Sequence, residues 1–271
     1  MLKDQEAASH IYGPVPSRRL GFSLGVDILP YKTCSFDCVY CQLGRTTRPL
    51  AERAEFVSLE ALAQELKGVR RIGADYVTFS GMGEPTLAIN LGEAIRLARR
   101  TLGLPIAVLT NSSLMPSADV RQDLGYADVV VAKLDAPNEE LFRRINRPLV
   151  GYSLEEIVRA ISSFRAGYQG KLALDMMFIR ANKRLASEMA ALARRLVPDE
   201  VQVNTPLRPC AVAPLIAEEI AAIRAEFGGL PVVTVYEAAR PQVSPLDVDE
   251  TLRRRPSARH PGHGVPSPGK E

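Results

Sequence analysis

Three cysteines stand within eight residues, Cys34, Cys38 and Cys41 in TCSFDCVYC, and the chain holds only one more, Cys210. Clustering of this kind in an intracellular protein points to metal or redox chemistry rather than to disulfides. Three thiolates on one short loop can converge on one inorganic centre. A four-iron, four-sulfur cluster has one ligand site per iron, so three cysteines leave one iron open to a substrate or cofactor. A structural zinc would want four closed ligands. Cys210 could supply the fourth, giving a closed site, or it is a small buried hydrophobe. His10, His260 and His263 all lie near the chain ends. A histidine-based triad or metal site in the folded core is therefore not expected.

A second group follows one strand–helix unit later, SGMGEPTL from Ser80 to Leu87. Gly81 and Gly83 lack a Cβ and would let backbone come close to a bound ligand. Glu84 and Pro85 would fix the turn. Asn111 and Ser112 end another apolar run in LTNSS, and Lys133 and Asp135 close the next in KLDAP. Lys133 and Asp135, two apart on a strand, point to the same side.

The elements that must position these groups alternate. Seven runs read as strands: Gly25–Leu29, Tyr76–Ser80, Ile106–Thr110, Val129–Leu134, Leu172–Ile179, Val201–Asn204 and Val232–Tyr236. Most are short, β-branched and apolar on both faces, as parallel strands covered by helices are. Helices are predicted between them. Ser58 opens one to about Ile72, Asn90 one ending near Leu102, where Gly103 follows, and Ser117 and Asn138 two short ones. Ser153 and Glu156 form a capping box for a helix ending at Gly167, and two more run over about 183–197 and 214–227. The pattern predicts an α/β fold of one domain, a parallel sheet open or closed into a barrel, with its chemistry at the C-terminal strand ends in the barrel case. Met176 or Met177 is expected at that same end.

The chain has 271 residues, 46% hydrophobic and 24% charged, the balance of a globular protein. No apolar run is long enough to span a membrane, and the first residues lack the apolar core of a secretory signal, so a cytoplasmic location is expected. Residues 1–10 read as a flexible lead, 11–252 as the core domain and 253–271 as a disordered basic tail rich in Pro, Gly and Arg. Net charge is +3, and the tail holds Arg253, Arg254, Arg255, Arg259 and Lys270 against Glu271 alone. The remainder is close to neutral and offers RNA no global field. Arg18, Arg19, Arg45 and Arg48 are candidates for a local basic face.

The C-x3-C-x2-C motif after a first strand, with Tyr40 before the last cysteine and SGMGEPTL similar to a GGEP motif, resembles the radical S-adenosylmethionine (SAM) superfamily. The match covers the alternation from about Gly13 to Tyr236. The form of the fold it implies is an incomplete parallel (β/α)6-type TIM-like barrel. The resemblance implies a [4Fe-4S] cluster on Cys34, Cys38 and Cys41, whose open iron chelates SAM. It implies reductive cleavage to methionine and a 5′-deoxyadenosyl radical that takes a hydrogen atom from substrate. It also implies a low-potential electron donor such as flavodoxin or ferredoxin. Tyr40, Gly81, Gly83, Glu84, Pro85, Asn111, Ser112 and Asp135 are the SAM contacts it implies. Tyr40 would pack beside the adenine, Asn111 would meet the carboxylate or ribose, and Asp135 the ribose or substrate.

KLDAPNEELFRRINRP, Lys133 to Pro148, looks like a segment of the wyosine-base tRNA enzymes of that superfamily. That likeness makes an RNA base, in tRNA for example, a candidate substrate beside a peptide or small metabolite. Those enzymes carry a second cluster on upstream cysteines, whereas this chain has no cysteine before Cys34. That departure argues against their pyruvate-condensing chemistry. A non-catalytic iron–sulfur or zinc protein would have no use for the strand-end groups around Gly81–Pro85 and Asn111.

Overall fold

The computed structural model describes residues 9–70, 72–149, 151–237 and 244–256. Among the described residues ten strands and eight α-helices follow one another: β1 (Ile11–Ser17), β2 (Gly21–Val26), β3 (Thr33–Cys34), β4 (Arg48–Pro49), α1 (Leu59–Gly68), β5 (Tyr76–Phe79), α2 (Leu91–Leu102), β6 (Ile106–Thr110), α3 (Ala118–Leu124), β7 (Val129–Lys133), α4 (Glu139–Ile145), α5 (Leu154–Gly167), β8 (Lys171–Met177), α6 (Ala186–Leu196), β9 (Glu200–Asn204), α7 (Ala217–Glu226), β10 (Val232–Thr234) and α8 (Val248–Arg254). Eight strands form one sheet in the order β1-β2-β5-β6-β7-β8-β9-β10. Every neighbouring pair in it is parallel except β1 and β2. The two end strands do not pair with each other, so the barrel is incomplete.

All seven predicted strands are present within that sheet, which has two strands more than the expected six. The extra antiparallel strand is β1. Its sequence, IYGPVPS, holds two prolines and a glycine, which read as turn rather than strand. Proline is tolerated there because an edge strand need not donate on both sides. The first predicted strand is shifted: it ends at Val26 rather than Leu29. The Asp27 carboxylate accepts from Leu29 N (3.3 Å) and Met82 N (2.9 Å), which turns the chain out of the ladder.

Local signals explain the helix starts. Ser58 accepts from Ala61 N, Asn138 from Leu141 N, and the Ser153–Glu156 capping box closes reciprocally. Gly103, at φ +68°, ends α2 in the left-handed region. Asn90 makes no cap bond; its amide instead donates to Val57 O (2.9 Å). The alternation of strand residues separates two apolar layers. Val77, Val108, Val130, Leu174 and Val201 pack into the large core under the helices. Ala107, Val129, Val131 and Ala173 form a small cluster with Leu20 on the opposite face of the sheet, the inside of the half-barrel. Each fully buried Val or Leu contributes about 1.5–3 kcal/mol.

The chain end departs from the expected tail. Residues up to Arg254 form α8, capped by Asp247 on Glu250 N, and Arg254 is fully buried. The tail therefore does not begin at 253. Its remainder, residues 257–271, and residues 1–8 of the expected lead lie outside the described residues. No helix among the described residues is long and apolar enough to cross a membrane.

Candidate active site

The cysteine loop leaves the sheet after β2 and is braced from below by α4. The last carbonyls of a helix lack partners within it, and the loop supplies them. Val39 N donates to Ile145 O (2.9 Å) and Asp37 N to Asn146 O (3.1 Å). Leu149 N returns to Ser35 O (2.8 Å). Within the loop, Thr46 closes onto Asp37 and onto Phe36 O (2.8 and 2.7 Å). The segment from Lys133 to Pro148, which sequence reading singled out, thus forms the seat of the cysteine loop.

Glu84 ties three strand ends together. Its backbone N donates to Thr33 O (3.1 Å), beside Cys34. Its carboxylate accepts from Thr86 Oγ1 (2.7 Å), Thr110 Oγ1 (2.6 Å) and Asn111 N (2.6 Å). Burial pushes its pKa up, and those donors oppose the shift. Pro85 opens a short 3-10 turn immediately after it. The two glycines of the motif are required here by protein contacts. A Cβ on Gly83 would lie 1.9 Å from Thr33 O, and one on Gly81, at φ +149°, would lie 2.2 Å from the Asp27 carboxylate. Gly83→Ala would set the new methyl against the Thr33 backbone, so it is expected to displace the cysteine loop. Loss of iron binding at unchanged helix content would show it, and wild-type iron content would refute it.

Asn111, at the end of β6, turns its amide to the cysteine loop. Nδ2 lies 2.9 Å from Ser35 Oγ and 3.6 Å from Cys34 Sγ. Ser112 follows at φ +70°, fully buried, and its hydroxyl makes no hydrogen bond. Thr33 Oγ1 is also without a partner.

Tyr40, expected beside the adenine, and Asp135, expected at the ribose or substrate, bond each other. The Tyr40 hydroxyl donates to Asp135 Oδ2, which also accepts from Asn146 Nδ2 (2.7 Å). Asp135 Oδ1 accepts from Met177 N (2.8 Å) and faces Lys133 Nζ at 3.7 Å. With no exposed side-chain surface, Asp135 has its carboxylate committed to protein groups and is a brace of the site. Met177 is at the strand end, as expected, while Met176 faces the core.

Lys133 does share a face with Asp135, and it lies 5.3 Å from the centre of the Tyr40 ring. It occupies one register row with Asp175 and Gln202 across β7, β8 and β9. Burial alone would lower the Lys133 pKa, but Asp135 and Asp175 (2.8 Å) outweigh it and raise it. Burial opposes ionisation of Asp175 as well, and Lys133 and Arg19 hold its carboxyl below the usual range. Arg19 points into this row, with Nη1 3.6 Å from Asp175 and bonded to Gln202. The expected basic face of four arginines is therefore not one surface. Arg19 belongs to the barrel interior, and Arg45 pairs with Asp37 (2.6 Å) on the loop.

Sequence reading missed three residues of the site. Asn146 donates to Asp135 and lies 3.5 Å from Cys38 Sγ. Asp27 and Arg254 form the other pair. Arg254 Nε meets Asp27 Oδ2 at 3.0 Å, its Nη1 meets Glu250 at 2.6 Å, and its guanidinium lies 4.9 Å from the Tyr12 ring centre. Through Asp27 it anchors Met82 N, in the middle of the Gly81–Pro85 motif. Capping and periodicity carry no signal for a contact between positions 27 and 254.

The donor set fits the cluster that the sequence implies. All three thiols are free and sit on one loop. Burial raises each pKa: for Cys34 with the Glu84 charge adding to it, for Cys38 with Asp135, up to about 12, and for Cys41 against a bond from Leu43. Thiolate ligation must then displace protons, so loading is favoured at higher pH. Among the described residues no three Cys, His, Asp or Glu side chains converge as ligands of one metal ion. A cluster instead takes one thiolate per iron. Cys210 is close enough for its charge to act on Cys41, while its own thiol donates to Val212 O (3.2 Å).

Fold and site together define a half-barrel whose strand ends gather around a three-cysteine loop. Residues 28–182 match the family model described as the radical SAM superfamily. The chain belongs to that superfamily of enzymes. Among curated proteins it is 42% identical to a UPF0026 protein of Methanocaldococcus jannaschii over 207 residues, covering 73% of this chain and 64% of that protein. It is 39% identical to a UPF0026 protein of Synechocystis over 201 residues, covering 73% of this chain and 76% of that protein. A crystal structure of Streptococcus suis SuiB bound to S-adenosylmethionine superposes with a TM-score of 0.60 at 14% identity, covering 78% of this chain and 50% of SuiB. The chain thus spans about two thirds of the M. jannaschii relative's length and half of SuiB's.

Proposed function

We propose that this enzyme holds a [4Fe-4S] cluster on Cys34, Cys38 and Cys41 and SAM against it, and abstracts a hydrogen atom from a substrate in the half-barrel. The observation that carries this reading is the meeting of three strand ends at the cysteine loop, tied by Glu84 to Thr33 O and Asn111 N. When bound and reduced, the cluster supplies the electron that cleaves SAM to methionine and a 5′-deoxyadenosyl radical. The chain's own residues bind and orient. Gly81 to Pro85 present backbone carbonyls to the SAM ammonium, and the unpartnered Ser112 hydroxyl offers a further polar contact beside Asn111. Tyr40 and Asp135 hold the loop from behind, and Lys133, Asp175 and Gln202 line the interior next to it. A low-potential donor such as flavodoxin or ferredoxin delivers the electron.

For the substrate we take an RNA base first, on the likeness of Lys133–Pro148 to the tRNA-modifying enzymes. A peptide or small metabolite is the other outcome of the test. Protein reconstituted without oxygen should carry about four irons and four sulfides and form 5′-deoxyadenosine from SAM and dithionite. No 5′-deoxyadenosine from fully loaded protein would sink the reading. Nucleosides from cells with and without the protein should differ at one modified base. Identical nucleosides together with no RNA binding at moderate salt would move the substrate to peptides or metabolites.

A further inference from the structure

The two asparagine amides that reach the cysteine sulfurs come from outside the cysteine loop, and nothing in the sequence motif requires them. Asn146 Nδ2, at the C-terminal end of α4, lies 3.5 Å from Cys38 Sγ, and Asn111 Nδ2, at the end of β6, lies 3.6 Å from Cys34 Sγ. Cys34 Sγ also accepts from Phe36 N at 3.5 Å, within the loop. The orientation of the Asn146 amide follows from its partners. Asp135 Oδ2, at 2.7 Å, lacks a donor when ionised, so the NH2 end must face it, and Cys38 Sγ lies on the same side. Asn146 is buried and its Oδ1 makes no hydrogen bond. Leaving a buried carbonyl unpaired costs about 1–3 kcal/mol, so the amide is fixed here by what its NH2 end does.

We propose that Asn146 and Asn111 are positioning residues for the cluster. They donate amide hydrogens to the Cys38 and Cys34 sulfurs and raise the potential at which a cluster held there accepts an electron. The inference rests on the cluster reading above. An N–H aimed at a ligating sulfur stabilises the extra negative charge of the reduced state more than it stabilises the oxidised state. The Asn146 amide is shared with the Tyr40 hydroxyl at 3.3 Å, but it has the stronger hold, because Asp135 pins it and Lys133 (3.7 Å) and Met177 N (2.8 Å) in turn pin Asp135. The Asn111 amide is shared with Ser35 Oγ at 2.9 Å. The Asn146 substitution should therefore have the larger effect.

The test is the midpoint potential of the loaded protein without SAM, followed by EPR during redox titration. Asn146→Leu keeps the volume and removes the donors. It should move the midpoint to more negative potential at unchanged iron content, and Asn111→Leu should move it the same way by less. An unchanged midpoint in fully loaded Asn146→Leu overturns the proposal. A measurement on the unsubstituted protein covers a variant that fails to fold. With 15N in the asparagine side chains, pulsed EPR of the reduced cluster should show a 15N coupling in place of the 14N coupling of the unlabelled protein, and no coupling to an asparagine nitrogen also overturns it. If the wild-type protein takes up no iron and gives no EPR signal, the cluster reading itself has failed, and the two failures are told apart in that way.

Discussion

Replacing Cys34, Cys38 and Cys41 together by alanine is expected to leave a colourless protein that makes no 5′-deoxyadenosine from SAM and reductant. The three thiols are the ligands the proposed centre needs, and they are half-buried in the loop seated on α4. Their removal should leave the fold in place. The loop is held by backbone bonds to Ile145 and Asn146 and by Thr46, and those bonds do not involve the sulfurs. Far-ultraviolet dichroism should therefore match wild type while iron content falls to background. A full cluster in the triple variant would mean that the ligands lie elsewhere. Cys210→Ala, in contrast, should keep the wild-type spectrum. Loss of the chromophore in that variant would mean a fourth protein ligand and a closed site.

The second large effect is expected at Arg254. Its guanidinium is fully buried between Asp27 and Glu250, whose side chains are 2% and 4% exposed. Taking away one partner of a buried ion pair costs about 3–5 kcal/mol, because the other charge is left uncompensated. Arg254→Met keeps most of the volume. In a chain of this size it should lower the melting temperature by roughly 10 °C. The pH dependence identifies the cause. Asp27 has a pKa raised from 3.8 to about 6, with burial raising it and Arg254 lowering it. The folded state thus binds the proton more tightly than the unfolded one, and stability falls as pH rises from about 4 through 6. Without Arg254 the Asp27 pKa climbs further, so at pH 5 the carboxyl is protonated with or without Arg254, whereas at pH 8 only the variant must hold a buried carboxylate without its partner. The deficit of the variant should be smaller at pH 5 than at pH 8. Equal deficits at the two pH values would show that lost packing, not the stranded carboxylate, is responsible.

Sequence and structure agree where the signal is local. The cysteine spacing, the Ser153–Glu156 box and the β-branched runs from Ile106 and Val129 are each written within a few residues, and each is found in place. The misreadings have a common cause in contacts between distant positions. The prolines of β1 hide a strand that exists because β2 and α8 accept it. Arg254 sits in a run of three arginines that composition marks as solvated tail, and its partner Asp27 is 227 residues away. The bond between Tyr40 and Asp135, 95 residues apart, is likewise one that pattern alone cannot show. SGMGEPTL marks Gly81 and Gly83 as special, but it does not show that the Asp27 carboxylate and Thr33 O press against them.

A sheet that stops short of closing leaves backbone donors and acceptors along its first strand, and such an edge can template pairing with another chain. Here α8 lies across β1. Leu246 N donates to Gly13 O (2.6 Å), Gly13 N donates to Thr251 Oγ1 (3.1 Å), and Gly13 bridges Asp247. Pro14 and Pro16 offer no N–H to any newcomer. The same short helix that delivers Arg254 to the site therefore also shields the open flank of the half-barrel. A chain cut before Leu246 would lose the latch and bare the flank at once, so self-association through β1, rather than simple unfolding, is the fate to expect of it.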